Sequence, residues 1–420
     1  MKKLLQDLLA SLSRRVIKKY RPTIIGITGS MGKTSTKEAI FNVVSQKYRA
    51  RRSEKNFNNE FGLPLTVLGS DSPAKSPFKW LALLAKAGLM ILSNQKYPQI
   101  LVLEMGVDRP GDMDYLLSIV RPNIAILTGI GSSHMEFFKD TGELGREKGK
   151  IASLLGPGDT FIVNADNAEA LKRKDGVKGK IITYGIKGNA DISPSDIQEN
   201  LQEPYGTQFS VIIDGNKINA RVKALGESHL SALIAACAVA QALKIEKDLV
   251  LKGLQEYKPA PGRLNIITGI KHSVIIDDTY NSSPDPVKAA LRLLRKIPSE
   301  YKIAVLGDML VLGNISVQSH REIGEAAAAA GLSRLVTVGP GGKIIAEGAA
   351  AAGFNRELIL CFDTADEAKK PLQELMRPGS LVLIKGSQGM RMEKITKEVM
   401  AEPMRAPELL CRQYGNWLKQ

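Results

Sequence analysis

The sequence predicts an α/β protein of two domains, each built on its own sheet. The first sheet is mainly parallel, with a small antiparallel patch after it. Three observations carry this. Short β-branched and apolar runs alternate with helical stretches in two separate parts of the chain, as in parallel sheets covered on both faces. Between 181 and 224 the pattern changes to short alternating segments broken by Gly and Asn turns such as Asp214-Gly215-Asn216. Pro259, Pro261 and Gly262 then form a linker.

In chain order, Leu4, Leu5, Leu8, Leu9 and Leu12 recur at helical spacing, with Lys18 and Lys19 near the end. They predict an amphipathic helix over 1–22 that docks on the next domain or makes weak contact with a membrane surface. Gln6, Asp7, Arg14 and Arg15 interrupt the run, which excludes a signal peptide. Strands follow at 24–27, 100–103, 124–128 and 160–163. The apolar run 80–92 is too short to span a bilayer and contains Lys86, so it predicts a packed helix. The antiparallel patch includes 209–213 and 218–222, and a helix covers 230–243. Beyond the linker, strands at 273–276, 303–306, 335–338, 358–361 and 381–384 predict a second, Rossmann-like α/β domain. Ala-rich runs at 326–330 and 349–352 read as helix. The expected domains are 23–258 and 259–420, with a site at the strand carboxyl ends between them.

The strand at 24–27 runs into Thr28-Gly29-Ser30-Met31-Gly32-Lys33-Thr34-Ser35. Strand, Gly-rich turn and helix in that order make a phosphate cradle. Gly29 and Gly32 let the backbone aim N–H groups at anionic oxygens, with Ser30 and Ser35 beside them. Lys33 reaches the outer phosphates and Thr34 holds Mg²⁺. ATP is the expected nucleotide, although Ile27 stands where the strict P-loop pattern has its first glycine. Glu104, ending the next strand, is a second candidate Mg²⁺ ligand. His134, on the loop after 124–128, is either a metal ligand or a structural histidine.

Composition narrows the partners. The chain of 420 residues has 58 Lys and Arg against 43 Asp and Glu, a net charge of +15. That favours anionic partners. Aromatics are only 5% and no basic-aromatic block stands out, so no nucleic acid is expected. Cys237, Cys361 and Cys411 form no metal or redox pattern, which suits a reducing, cytoplasmic compartment. No transmembrane segment is expected.

Nine ordered blocks resemble the Mur ligase family of ATP-dependent amide-forming enzymes. They are ITGSMGKTSTKE, NFNNEFGLPLTVL, LEMGVDRPGDMDYL, IVRPNIAILTGIGSSHMEFF, EKGKI, DDTYNSSPDP, AVLGDMLVLG, HREIG and LIKGSQGMRMEK. The second and seventh most resemble the branch that adds D-Ala-D-Ala, or a similar amine, to a UDP-MurNAc-peptide carboxylate. The resemblance implies an acyl-phosphate mechanism, with an anionic small-molecule substrate and an amine or dipeptide as partners. It places Glu104 and His134 on a pair of Mg²⁺ ions, and a carbamylated lysine at Lys148. The residues by themselves would make Lys148 a solvated helix lysine, and Lys150 would face elsewhere. It gives Asp278 the ATP ribose and Arg263 the phosphates. Asn58, Asn59, Asn281, Asp308, Lys385 and Ser387 would face the two substrates, or serve as turn residues.

Two departures from the family pattern stand out. Its full-length members carry a separate N-terminal domain that grips UDP, and only 22 residues precede the first strand here. That domain is expected to be absent, leaving a non-UDP carboxylate as an alternative acceptor, or a partner chain as its replacement. In Gly226-Glu227-Ser228-His229-Leu230-Ser231-Ala232, His229 and Ala232 stand where two asparagines near the adenine are commoner; His229 remains able to stack or hydrogen-bond there. An alternative of another class is a catalytically silent nucleotide-binding scaffold.

Overall fold

The computed structural model describes residues 2–54, 57–74, 76–132 and 135–419. The first sheet contains β1 (Thr23–Thr28), β2 (Ala50–Arg52), β3 (Ile100–Glu104), β4 (Ile124–Leu127), β5 (Thr160–Asn164) and β6 (Lys180–Tyr184). Its order is β2-β3-β1-β4-β5-β6, with every pairing parallel. The chain leaves β1 in both directions across the sheet, so a crevice opens at the carboxyl end of β1. All five residues of β3 are buried, as a strand covered on both faces requires.

The antiparallel patch is β7 (Pro194–Asn200), β8 (Gly206–Ile213) and β9 (Asn216–Val222). It begins later than the sequence predicts. β6 joins β5 in parallel instead, because its length and composition fit either partner and only tertiary packing chooses.

The second unit has β10 (Asn265–Gly269), β11 (Ser273–Asp278), β12 (Lys302–Gly307), β13 (Arg334–Val338), β14 (Ile359–Phe362) and β15 (Leu381–Lys385), in the order β10-β11-β15-β12-β13-β14. Only β10 runs antiparallel. The predicted α/β class with parallel sheets and a small antiparallel patch therefore holds. The short edge strand β2, and β7 and β10, are additions to the sequence reading.

Helix Lys33–Ser45 follows the glycine-rich turn 29–32 and packs beneath Glu227–Ala242 and Lys247–Gln255. Glu227–Ala242 is Ala-rich and almost wholly buried, so neighbouring backbones come close. Gly253 marks the tightest approach: a Cβ there would lie 2.5 Å from Val43 Cα.

The N-terminal helix spans Lys2–Tyr20 and packs on helices Gly62–Leu68 and Pro77–Leu92. Its predicted apolar face is only partly used: Leu9 is buried while Leu4 and Leu8 are exposed. The run read as a packed helix forms Pro77–Leu92, but only Leu83, Ala87 and Met90 are buried. No helix among the described residues is long and apolar enough to cross a membrane.

Gly253→Ala should destabilise the protein by about 1–3 kcal/mol, since the clash is with backbone and cannot be relieved by a rotamer change. Urea unfolding measures it; an unchanged midpoint would mean the helices separate without cost.

Candidate active site

The strand ends of both units meet at one cavity of about 300 Å³. Ser30, Gly32, Thr34 and Ser35 line it from the glycine-rich turn and the helix that follows. His229, Arg263, Asp278, Asn281 and Lys385 line the other side.

The turn is held by close backbone packing. Ser30 N–H donates to Gly129 O at 2.7 Å, and Thr128 Oγ1 donates to Met31 O at 2.5 Å. Gly29 has φ +147°, and a Cβ there would lie 2.0 Å from Thr128 Oγ1; only glycine fits. Gly32, at φ +79°, caps helix Lys33–Ser45, which aims that helix's first N–H groups into the cavity. Lys33 Nζ donates back to Gly29 O at 2.7 Å. Burial, opposed by Glu104 and helped by Arg263, pushes its amine below the ordinary lysine range.

Register brings the candidate metal ligands together. Glu104 pairs with Ile27 at the end of β1. Its carboxylate accepts from Thr34 Oγ1 and from Asn58 Nδ2, both at 3.2 Å. Burial alone would raise its pKa, but Lys37, Lys33 and Arg263 outweigh burial and hold it below the usual carboxylate range. An ionised carboxylate beside a hydroxyl is a hard-oxygen set of the kind Mg²⁺ takes with phosphate oxygens and water. Among the described residues no group of three or more His, Cys, Asp or Glu side chains could hold a metal by itself. His134 lies outside the described residues.

Lys148 is fully buried and its Nζ donates to Val107 O at 3.0 Å. Burial first, then nearby Lys33, lowers its pKa well below the ordinary value, against Asp108, Asp112 and Glu147. A buried amine shifted toward its neutral form suits reaction with CO₂. Lys150 instead points outward and pairs with Asp114 at 2.6 Å and Glu147 at 2.7 Å.

From the second unit, Asp278 and Lys385 are register partners at the ends of β11 and β15 and form a buried ion pair at 2.6 Å. Lys385 Nζ also donates to Asn281 O at 2.9 Å. Arg263 lies 3.9 Å over the Tyr280 ring, with Nη2 at 3.5 Å from Thr34 Oγ1. Its Nε is buried with no hydrogen-bond acceptor. That orphan donor, beside the glycine cradle, fits an incoming phosphate.

His229 is buried, and burial pushes its pKa down to about 4. Its Nε2 faces Arg263 O at 2.9 Å and must donate; Nδ1 therefore accepts from Tyr257 OH at 2.7 Å. Both nitrogens are engaged, leaving only the ring for contact with a base. The same peptide that offers Arg263 O presents Leu264 N–H to Asp278 Oδ1 at 3.3 Å. Leu264 itself has φ +49°.

Other candidate residues lie apart from the cavity lining. Asn59 Oδ1 accepts from Phe61 and Gly62 N–H. Asp308 Oδ1 accepts from Gly342 N–H at 2.8 Å, and burial raises its pKa. Ser387 Oγ accepts from Leu310 N–H at 2.8 Å. Sequence reasoning missed Tyr257, Asn164 and Asp166; the last two line the cavity from the end of β5.

Residues 84–240 match the family described as Mur ligase middle domain, and 262–388 that described as Mur ligase, glutamate ligase domain. The UDP-N-acetylmuramoyl-tripeptide--D-alanyl-D-alanine ligase of Bacillus subtilis is 30% identical over 402 residues, covering 94% of this chain and 80% of that protein. The crystal structure of MurF from Acinetobacter baumannii superposes with a TM-score of 0.78 at 27% identity, covering 95% of this chain and 80% of that one. The MurF ligase of Thermotoga maritima in complex with ADP gives 0.77 at 26%, covering 94% and 83%.

His229 makes acid stability a readout of this site. With a folded pKa near 4 and an ordinary value of 6.5, the folded state binds fewer protons between those values. Stability is then lost as pH falls from 6.5 toward 4, by about 3 kcal/mol in full. His229→Gln should flatten that part of the stability–pH curve relative to wild type. Parallel curves from urea titrations at each pH would show that His229 is not held neutral.

Proposed function

This chain belongs to the Mur ligase family, and we propose that it forms an amide bond between D-Ala-D-Ala, or a similar amine, and a UDP-MurNAc-peptide carboxylate in peptidoglycan precursor synthesis. The observation that carries this is the convergence of Thr34, Arg263, Asp278 and Lys385 on one cavity, with Glu104 bonded to Thr34 and Lys33 folded back on Gly29. The similarity to ligases named for that reaction supports the choice of substrates. The proposed domains are 1–22, 23–258 and 259–420, and the proposed location is the cytoplasm.

In this reading ATP enters the cavity with its phosphates on the 29–34 turn. The substrate carboxylate attacks the γ-phosphorus and the bond to ADP breaks, giving an acyl phosphate. The amine then bonds to the acyl carbon and loses a proton as phosphate departs. Lys33 and Arg263 neutralise the charge that builds on the phosphoryl oxygens. Asp278, held by Lys385 at 2.6 Å, accepts hydrogen bonds from the ribose hydroxyls. Mg²⁺, when bound by Thr34, Glu104 and in this reading His134, supplies further charge neutralisation at the phosphates. A carbamate on Lys148 would supply an anionic oxygen ligand where the amine now sits.

Two sets of variants test the reading with a panel of carboxylate and amine pairs scored by phosphate release. Lys33→Ala should lower amine-dependent release by roughly 10²–10³-fold, the usual cost of one charge-stabilising donor. Release at the wild-type rate would remove the ATP site from 29–34. Lys148→Ala should lose most activity and recover part of it with formate or acetate, while Lys150→Ala stays near wild type. Full activity in Lys148→Ala would reject the carbamate role.

A further inference from the structure

Helix Pro77–Leu92 presents an apolar stripe to solvent. Phe78, Leu81, Leu89 and Leu92 are 84%, 67%, 56% and 87% exposed, and Ala82 and Ala85 are exposed between them. At one residue per 100° these six fall in an arc of roughly 100°. The opposite side, with Leu83, Ala87 and Met90, is buried. A surface helix ordinarily turns charge outward; one apolar all round is ordinarily covered.

Charge says what covers it. Between Asp71 and Glu104 the chain has no acidic residue, and it has Lys75, Lys79, Lys86 and Lys96. Lys79 and Lys86 are exposed and fall on one edge of the stripe; the Lys86 ammonium donates to Gly69 O with Asp71 near it, while Lys79 and the exposed Lys96 carry the charge of this face. The N-terminal helix Lys2–Tyr20 lies against this helix. Its Lys19 Nζ donates to the carbonyls of Met90, Ile91 and Ser93 at 3.2, 2.9 and 2.6 Å. That helix has Asp7 as its one acidic residue and six basic ones, with Leu4 and Leu8 exposed.

We propose that this face docks the protein on an anionic lipid bilayer, with helix Pro77–Leu92 lying in the interface rather than crossing it. Phe78, Leu81, Leu89 and Leu92 enter the upper acyl region, and Lys79 and Lys96 meet headgroup phosphates. Self-association through the same face would bring two basic surfaces together and is disfavoured by charge; an anionic bilayer is complementary in both respects.

Flotation of the full chain with vesicles tests this, comparing phosphatidylcholine alone with phosphatidylcholine mixed with phosphatidylglycerol at low and high salt. Binding should require the anionic lipid and weaken with salt. Leu81→Glu/Leu89→Glu should reduce binding by at least about tenfold, with an unchanged melting temperature because both positions are exposed. Lys79→Glu/Lys96→Glu should also reduce it, and Ile212→Glu, exposed on β8, should not. No flotation, equal flotation with neutral lipid, or wild-type binding by both double variants would overturn the proposal. A dimer in sedimentation velocity that Leu81→Glu/Leu89→Glu dissolves, without vesicle binding, would assign the face to a second copy of the chain. Capture of an acidic protein in place of vesicles would assign it to that partner.

Discussion

Excess positive charge around one carboxylate organises this protein. Lys33, Lys37 and Arg263 all act on Glu104, which is itself buried. Taking several cations out of water is costly unless anions repay it; Lys37 also pairs with Glu38 at 3.3 Å, and Asp108 acts on Lys33. What remains unsatisfied is the buried Arg263 Nε, which fits an anion in the cavity. The fold is arranged to sustain this cluster. Parallel strands deliver Thr34 and Glu104 from one sheet to the place where the linker delivers Arg263. The Ala-rich helix Glu227–Ala242 and the close approach at Gly253 then hold the helix that begins at Lys33 firmly against the rest.

Much of this was legible in the sequence because it rests on short-range signals. A β-branched run ending in Gly-x-x-Gly-Lys-Thr states its own strand, turn and helix, and Gly29 is explained by contact with a neighbouring strand that any such turn must have. The buried state of Lys148 was not legible from its neighbours: Arg146, Glu147 and Lys150 read as a solvated helix, and only packing against Val107 turns that lysine inward. The sheet to which β6 belongs was equally hidden, since a five-residue apolar strand fits a parallel or an antiparallel neighbour. Helix Pro77–Leu92 misled in the opposite direction. Its apolarity signalled burial, and the structure buries one side of it.

Distant parts of the chain also support the site in ways no local pattern announces. Arg412 is buried with Glu393 at 2.9 Å and donates to the carbonyls of Thr279 and Tyr280. Tyr280 is the ring on which Arg263 rests. The C-terminal segment thus fixes the platform under a cation that the linker carries. Glu393 is also paired with Arg391 at 2.7 Å, so Arg412 is fixed within a buried network of charges.

The peptide joining Arg263 to Leu264 has a mechanical consequence. Its carbonyl is held by His229 of the first unit and its N–H by Asp278 of the second. One rigid plane is therefore gripped from both sides, and the residue after it sits at positive φ, which a leucine adopts only under constraint. A joint of this kind does not swing freely through intermediate angles. Rotation of one unit against the other must release a buried hydrogen bond before it begins. Relative rotation of the two units about this peptide is therefore coupled to Arg263, whose side chain rests on the Tyr280 ring.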